Sequence, residues 1–332
     1  MNSRKRTSAF SARTGVAIIG VASLIVIAGC SATSAEQGSV TADGCGDITF
    51  LINNMANPWI ATLADGAVAQ ADELGANLTV QDGANDNATQ IAQLQQAIAN
   101  DTSGILIQSI EADGIVAAVQ QANAAGIPVV AVNAGVGDGA ELVTYVGVDQ
   151  SDYGVGLAQL AEQALPDGGK VALIQGIVGN PVEVLRTEAI VDTLDKNASI
   201  EIIATVTDNW SNDENLAVVQ DLLTKYGPGE LDVVIAEGPE IYIGAQYAHS
   251  IGRDDVKFIA GDFPNQVHAG IEAGEIYGAV LQDGAEQGKA GVVALCNWLE
   301  GNEDAVKQPT DFVELPLVTQ ENLSEYSTSW DW

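Results

Sequence analysis

Residues 75–132 read GANLTVQDGANDNATQIAQLQQAIANDTSGILIQSIEADGIVAAVQQANAAGIPVVAV. Two segments with helical spacing, 87–100 and 112–125, alternate there with three β-like runs, 75–81, 104–108 and 127–132. In 87–100, Ile91, Leu94 and Ile98 fall three or four apart and share one helix face. Asn87 and Gln90 fit an N-cap and its reciprocal partner, with Asn in place of the usual Ser or Thr. The runs GILIQ and IPVVAV are short and almost continuously apolar, as strands are when helices cover both faces. Alternation of this kind predicts a parallel sheet in doubly wound α/β layers.

The pattern continues in both directions. Strand-like runs recur at 47–53, 142–148, 170–175, 201–206, 231–236, 256–260 and 277–281, and helical segments at 59–73, 154–165, 213–226 and 285–300. The chain has 332 residues, too many for one average domain, and ten such strands suit two α/β domains better than one. It is 47% apolar, enough for sizeable cores. Ligands of open α/β sheets bind outside the carboxyl ends of the strands, so those ends are where chemistry is expected.

Charge excludes several partners. Twelve Lys and Arg stand against 45 Asp and Glu, a formal net charge of −33. A polyanion would be repelled, so nucleic acid and a broad contact with anionic membrane are not expected. Three Cys and two His show no metal-ligand spacing, and no metal is expected.

Residues 1–13 carry Arg4, Lys5, Arg6 and Arg13 and no acid, and residues 15–29 are uncharged and largely apolar. A basic segment, a short apolar run and small residues before a cut make a secretory signal peptide over 1–29. The run is short for a membrane span, which needs about 20 residues. Ile27-Ala28-Gly29-Cys30 resembles the bacterial lipobox, which implies cleavage before Cys30 and lipidation of Cys30. Cleavage there would leave 8 basic and 45 acidic residues, net −37. Residues 30–45 then read as the lipidated Cys and a small, polar, flexible tether that holds the body at a membrane face.

Catalytic motifs are missing from the sequence. There is no G-x-S-x-G elbow and no Walker A loop. His249 and His268 fall on predicted helices without a Ser or Cys at suggestive spacing. Residues 135–140, GVGDGA, match G-x-G-x-x-A, but a β-like run follows where a dinucleotide site needs a helix to begin. They read as a Gly-rich turn, and no cofactor is expected.

Asn57-Pro58-Trp59-Ile60 and the long stretch after it, NAAGIPVVAVNA at 123–134, KVALIQGIVG at 170–179 and FIAGDF at 258–263 resemble the periplasmic sugar-binding proteins of the ribose-binding type. The resemblance runs in order over roughly 47–320. It implies a type I periplasmic binding protein: two doubly wound parallel-sheet lobes joined by a three-crossing hinge. The crossings would fall near 148–149, 282–283 and 313–314. One lobe would be 46–148 plus 283–313, the other 149–282 plus 314–332. The lobes would close on a small-molecule ligand, and the closed, monomeric form would be read by an ABC transporter permease. Lac-repressor-type regulators share the fold, but they carry a DNA-binding segment where this chain has a signal peptide.

The resemblance also implies a site. Asn57 takes the polar position after the first strand and Trp59 the aromatic one, where an indole face can pack on sugar C–H groups. Ile60 stands where the family often has a second aromatic. Trp210 matches an aromatic of the other lobe, so the two Trp could sandwich a ring. Asn133-Ala134 replaces the usual Asp-Arg. Arg186 matches the ligand-binding arginine, Asp262 the acid that accepts from two hydroxyls, and Gln282 the amide at a crossing. Gly238 replaces a family amide, and Glu237 or Glu240 could stand in for it. Arg186 can meet Asp262 in the closed form, which favours a neutral monosaccharide or polyol over a sugar acid. Cys45 and Cys296 would lie in one lobe away from the cleft, where an exported protein can form a disulfide. Three function classes follow: a transport-linked binding protein, a ligand sensor feeding a membrane receptor or sensor kinase, and an exported enzyme on the same scaffold. The first is the reading adopted.

Overall fold

The computed structural model describes residues 45–332. The signal peptide expected over 1–29, Cys30 and all of the tether but its last residue lie outside the described residues.

Two six-stranded sheets form the body. The first contains β1 (Asp47–Ile52), β2 (Asn77–Asp82), β3 (Gly104–Ile107), β4 (Val129–Val132) and β5 (Thr144–Gly147), interleaved with helices α1 (Pro58–Leu74), α2 (Asn87–Ala99) and α3 (Ala112–Ala124). The second contains β6 (Gly169–Gln175), β7 (Ile200–Thr207), β8 (Val233–Ala236), β9 (Lys257–Gly261) and β10 (Gly278–Val280), with α4 (Gln150–Ala164), α5 (Pro181–Leu194), α6 (Asn212–Lys225), α7 (Ile241–Ser250) and α8 (Asn265–Ala273). Helix α9 (Gly284–Leu299) returns to pack on α1, and β11 (Thr310–Phe312) then joins the first sheet while β12 (Leu317–Thr319) joins the second. The strand orders are β11-β5-β4-β3-β1-β2 and β12-β10-β9-β8-β6-β7. The chain therefore passes between the sheets three times: between β5 and β6, between β10 and β11, and between β11 and β12.

Every residue of β3, β4 and β8 is buried, which is the physical origin of their unbroken apolar runs. Edge strand β2 alternates more exposed positions. All pairings in the first sheet are parallel; in the second, β12 runs antiparallel to β10, a departure from the all-parallel expectation. Strands β11 and β12 are short edge strands that are only partly buried, so unlike the equally short but fully buried β10 they carry no continuous apolar run, and ten strands are visible in the sequence.

Two helix starts differ from the sequence reading. The cap of α2 is Asp86, whose carboxylate accepts from Ala88 N at 3.1 Å and from the Thr89 hydroxyl at 2.5 Å. Asn87 is already helical, and Gln90 is fully buried, donating to Gln108 O and accepting from Ile110 N. A carboxylate at the cap displaces the capping box, and Gln90 instead holds the loop that ends β3. Helix α4 begins at Gln150 rather than 154, because Asp149 caps Ser151 N and Asp152 N. No helix starts within the Gly-rich residues 135–140. His249 pairs with Asp254 on the surface, and His268 sits against Phe263.

Cys45 and Cys296 are bonded through their sulfurs, with Cα atoms 5.0 Å apart. The bond ties Cys45, two residues before β1, to the last turns of α9 within one core cluster. Among the described residues no helix is long and apolar enough to cross a membrane, and no cluster of His, Cys, Asp and Glu could hold a metal.

Candidate ligand-binding site

The carboxyl ends of the strands of both sheets face one cavity of about 530 Å³. Asn57, Trp59, Asn133, Arg186, Trp210, Asp262 and Gln282 all line it. Three of them, Asn133 (φ 63°), Trp210 (φ 54°) and Asp262 (φ 58°), hold left-handed backbone. That conformation is unfavourable for a residue as bulky as Trp and tends to collect at functional positions. At Asn133 and Asp262 it turns the chain sharply as β4 and β9 end, so the side chains face the cavity rather than the next helix.

Arg186, on α5, is buried. Its Nε donates to Gln150 Oε1 at 2.9 Å, one terminal nitrogen to the Glu237 carbonyl at 2.8 Å and the other toward Gln282 Oε1 at 3.5 Å. The guanidinium carbon stands 3.6 Å over the Tyr153 ring. Among the described residues no carboxylate lies within ion-pairing distance of Arg186. Tyr153, which the sequence reading missed, is fully buried on α4. Its hydroxyl donates to Asp262 Oδ1 at 3.1 Å and accepts from Asp262 N at 2.7 Å. One phenol thus supports the cation with its face and the acid with its hydroxyl. Burial pushes the Asp262 carboxyl up to about 6, while Arg186 and the Tyr153 hydroxyl pull it the other way. The two charges influence each other without touching.

The aromatic pair is less symmetric than a sandwich. Trp59 is 5% exposed, belongs to the core cluster under the first sheet, and commits its indole N–H to the Gln282 carbonyl at 3.1 Å. It forms a floor tied to a crossing. Asn57 caps α1: its Oδ1 accepts from Trp59 N and Ile60 N, so only its amide N–H groups remain free to meet a ligand. Trp210 is half-buried and lies over the backbone of Gly176 and Gly238. A Cβ at Gly176 would fall inside the indole, and one at Gly238 would stand 2.8 Å from Trp210 Cδ1. A Cβ at Gly238 would meet the Glu240 carboxylate first, so Gly238 leaves room for both that carboxylate and Trp210, and Gly176 is the seat of the ring. Glu237 and Glu240 do not replace an amide there, because both are fully buried behind Gly238 and Pro239, which form the wall. Burial and the neighbouring Asp208 charge drive the Glu240 carboxyl well above its usual range. Burial carries Glu237 up to about 7, against the opposing effects of Gly176 N, Thr187 and Arg186.

Gly176→Ala tests the seat. Its φ is not in the left-handed region, so the backbone accepts Ala, and the clash falls on the ring alone. The expected result is a folded protein whose Kd for its ligand rises at least tenfold, about 1.4 kcal/mol. Unchanged affinity by titration calorimetry would remove Trp210 from the site.

Amides make the remaining wall. Asn133 accepts from Gln108 Nε2 at 2.9 Å and donates to the fully buried Gln287 at 3.3 Å. Asn53 Oδ1 and Gln150 Nε2 are buried without a protein partner, and both residues line the cavity. One orphan acceptor and one orphan donor suit a hydroxyl-bearing guest, which can satisfy both. Asn53 and Gln108 follow the ends of β1 and β3, so the strand-end rule alone could have found them. Gln150, Tyr145, Phe312 and Trp332 also line the cavity, with no comparable signal in the sequence.

Residues 48–303 match the family model of the periplasmic binding protein domain. The chain belongs to the periplasmic binding protein family. It is 27% identical over 275 residues to the ribose import binding protein of Escherichia coli, covering 82% of this chain and 90% of that one. It is 31% identical over 262 residues to a putative rhizopine-binding protein of Rhizobium meliloti, covering 76% and 82%. A periplasmic solute binding protein of an ABC transporter from Actinobacillus succinogenes, solved with bound D-allose, superposes with a TM-score of 0.77 at 20% identity over 85% of this chain and all of that one. This binding protein therefore has the type I architecture of two α/β lobes expected of it.

Proposed function

We propose that this chain is an extracytoplasmic solute-binding protein that captures one neutral, hydroxyl-rich ring between its two lobes and delivers it to an ABC transporter permease. The three relatives named above are binding proteins, for ribose, for a rhizopine and with bound D-allose. The observation that carries the finer reading is the convergence of Arg186, Asp262, two Trp and a wall of amides on one cavity. Asp262 supplies a carboxylate for two hydroxyls, Arg186 a fork, and Trp59 and Trp210 apolar faces. Two acids, Asp149 and Asp262, line the cavity against one base, Arg186, which disfavours a sugar acid. Closure would pivot at the three crossings, with 46–148 plus 283–313 moving against 149–282 plus 314–332.

A thermal-shift screen of D-ribose, D-allose, myo-inositol, xylitol and glucuronate tests the reading. Ligand at 100 times Kd stabilises by about 2.7 kcal/mol. That corresponds to a rise in Tm of roughly 4–5 °C for a body of this size. A shift with a neutral compound is expected; a shift with glucuronate alone would overturn the neutral-ligand reading. The body is further proposed to act as a monomer tethered through an acylated Cys30. Cys30→Ser should abolish fatty-acid labelling and release the protein from membranes, and retention of the label would sink the anchor.

A further inference from the structure

The segment 330–332, Trp-Asp-Trp, belongs to neither the strand ends nor the crossings, yet it reaches the cavity. It is fastened to the start of α8 in the second lobe. Asn265 N donates to Trp330 O at 2.8 Å, and Asn265 Nδ2 to Asp331 Oδ1 at 3.1 Å. Gln266 Nε2 donates to Trp332 O at 3.2 Å, while Trp332 N donates to Gln266 Oε1 at 3.0 Å. Helix α8 has Pro264 at its N-cap and no side-chain cap, so Trp330 O takes up a helix donor left without an intrahelical partner. The start of α8 lies three residues beyond Asp262.

The indoles point elsewhere. Trp330 and Trp332 contact each other edge to face, with centroids 6.2 Å apart. Both pack against the core cluster of the first sheet, the one that contains Trp59, Ile60 and Leu63. Trp332 also lines the cavity, together with Trp59 and Ile60. The segment is thus hydrogen-bonded to one lobe while its two indoles, partly buried, pack against the other.

We propose that residues 330–332 form a strap across the ligand cleft, and that Trp332 is a ligand-contacting wall supplying the second aromatic that Ile60 does not provide. The inference rests on the solute-binding reading above and extends it to a residue outside the set that the family resemblance implies. An indole at this place adds an apolar, rigid surface for the C–H face of a single ring at little entropic cost. Because the strap spans the lobes, it favours the closed arrangement and slows ligand escape. Its contribution therefore falls mainly on the dissociation rate.

The test compares the wild type with Trp332→Ala, Trp332→Phe, Gln266→Ala and a chain lacking 330–332. The probe is whichever of D-ribose, D-allose, myo-inositol or xylitol shifts the wild type most. Trp332→Ala and the deletion are expected to raise Kd at least tenfold, chiefly through faster dissociation, with Trp332→Phe recovering most of the loss and Gln266→Ala falling between. Equal Kd values, within twofold, for wild type and Trp332→Ala would overturn the ligand contact. Hydrogen exchange without any ligand reads the strap independently of the solute-binding reading. The deletion should speed exchange at the first turns of both α8 and α1, and a change at α8 alone would overturn the strap. If no probe binds the wild type, the solute class fails while the exchange result still decides the strap.

Discussion

Asp262→Asn is expected to weaken ligand binding and stabilise the unliganded protein at the same time. Burial raises the Asp262 carboxyl from 3.8 to about 6. A carboxyl raised on folding holds its proton more tightly in the folded state. Its stabilising contribution is complete below 3.8 and is lost as the pH rises through about 6. A shift of about two units is worth about 3 kcal/mol between those limits. The wild type, free of ligand, should therefore lose stability from pH 5 to pH 8. Asn keeps an acceptor for the Tyr153 hydroxyl and carries no charge, so the variant should be more stable than wild type at pH 8 and show a shallower pH slope. Glu237, which also loses its proton near neutrality, leaves a residual slope in both proteins.

Binding should move the opposite way. Two hydroxyls bonded to a carboxylate gain about 2–3 kcal/mol over the same bonds to a neutral amide. That is roughly a 30- to 150-fold rise in Kd at pH 8. The wild type itself should bind more weakly at pH 5, where Asp262 is protonated. Calorimetry at both pH values, with melting curves of the free proteins, checks both halves. A Kd within threefold of wild type at pH 8 would dismiss Asp262 as the acceptor.

The second large effect concerns the Cys45–Cys296 bond. The cysteines are 251 residues apart in sequence, so the bond closes a very long loop. Loss of a native disulfide of this kind removes about 2–5 kcal/mol. For Cys45→Ala with Cys296→Ala, the Tm should fall by roughly 3–8 °C. Ala is chosen because both sites are buried and a hydroxyl would add its own penalty. Affinity should stay within twofold, because the bond lies at the amino end of β1, opposite the strand ends that face the cavity. A Tm within 2 °C of wild type would show that the bond contributes little to the fold.

Most of the architecture was legible because buried parallel strands must be apolar and short, and the helices between them must carry an apolar face. Those demands act residue by residue and leave a periodic trace, as in GILIQ and IPVVAV. Strands β11 and β12 left none, since they are sheet-edge strands, only partly buried, whereas the equally short β10 is buried throughout and so apolar. The cap of α2 was misplaced because Asn87 and Asp86 are both good caps, and only the backbone decides which one turns outside the helix.

The site divides the same way. Asn57, Asn133, Asp262 and Gln282 stand at strand ends, helix starts or crossings, positions that a sequence pattern can mark, and Arg186, inside α5, is marked by the family resemblance. Tyr153, in the first turns of α4, acts through its ring on Arg186 and its hydroxyl on Asp262, a link between α4, α5 and β9 that no local pattern encodes. Gly238, which replaces an amide in the family resemblance, leaves room for the Glu240 carboxylate and the Trp210 indole, a meeting of the three that no local pattern marks.

From its residues alone this chain declares two α/β layers and a cleft edged by polar strand ends, and leads to the expectation of an export address, because each follows from short-range periodicity, charge or a local motif. Which buried groups share protons, which glycine makes room for which ring, and how Trp332 comes to stand beside Trp59 depend on contacts between segments far apart in the chain. Distances of that kind exist only after folding, and so only the tertiary structure decides them.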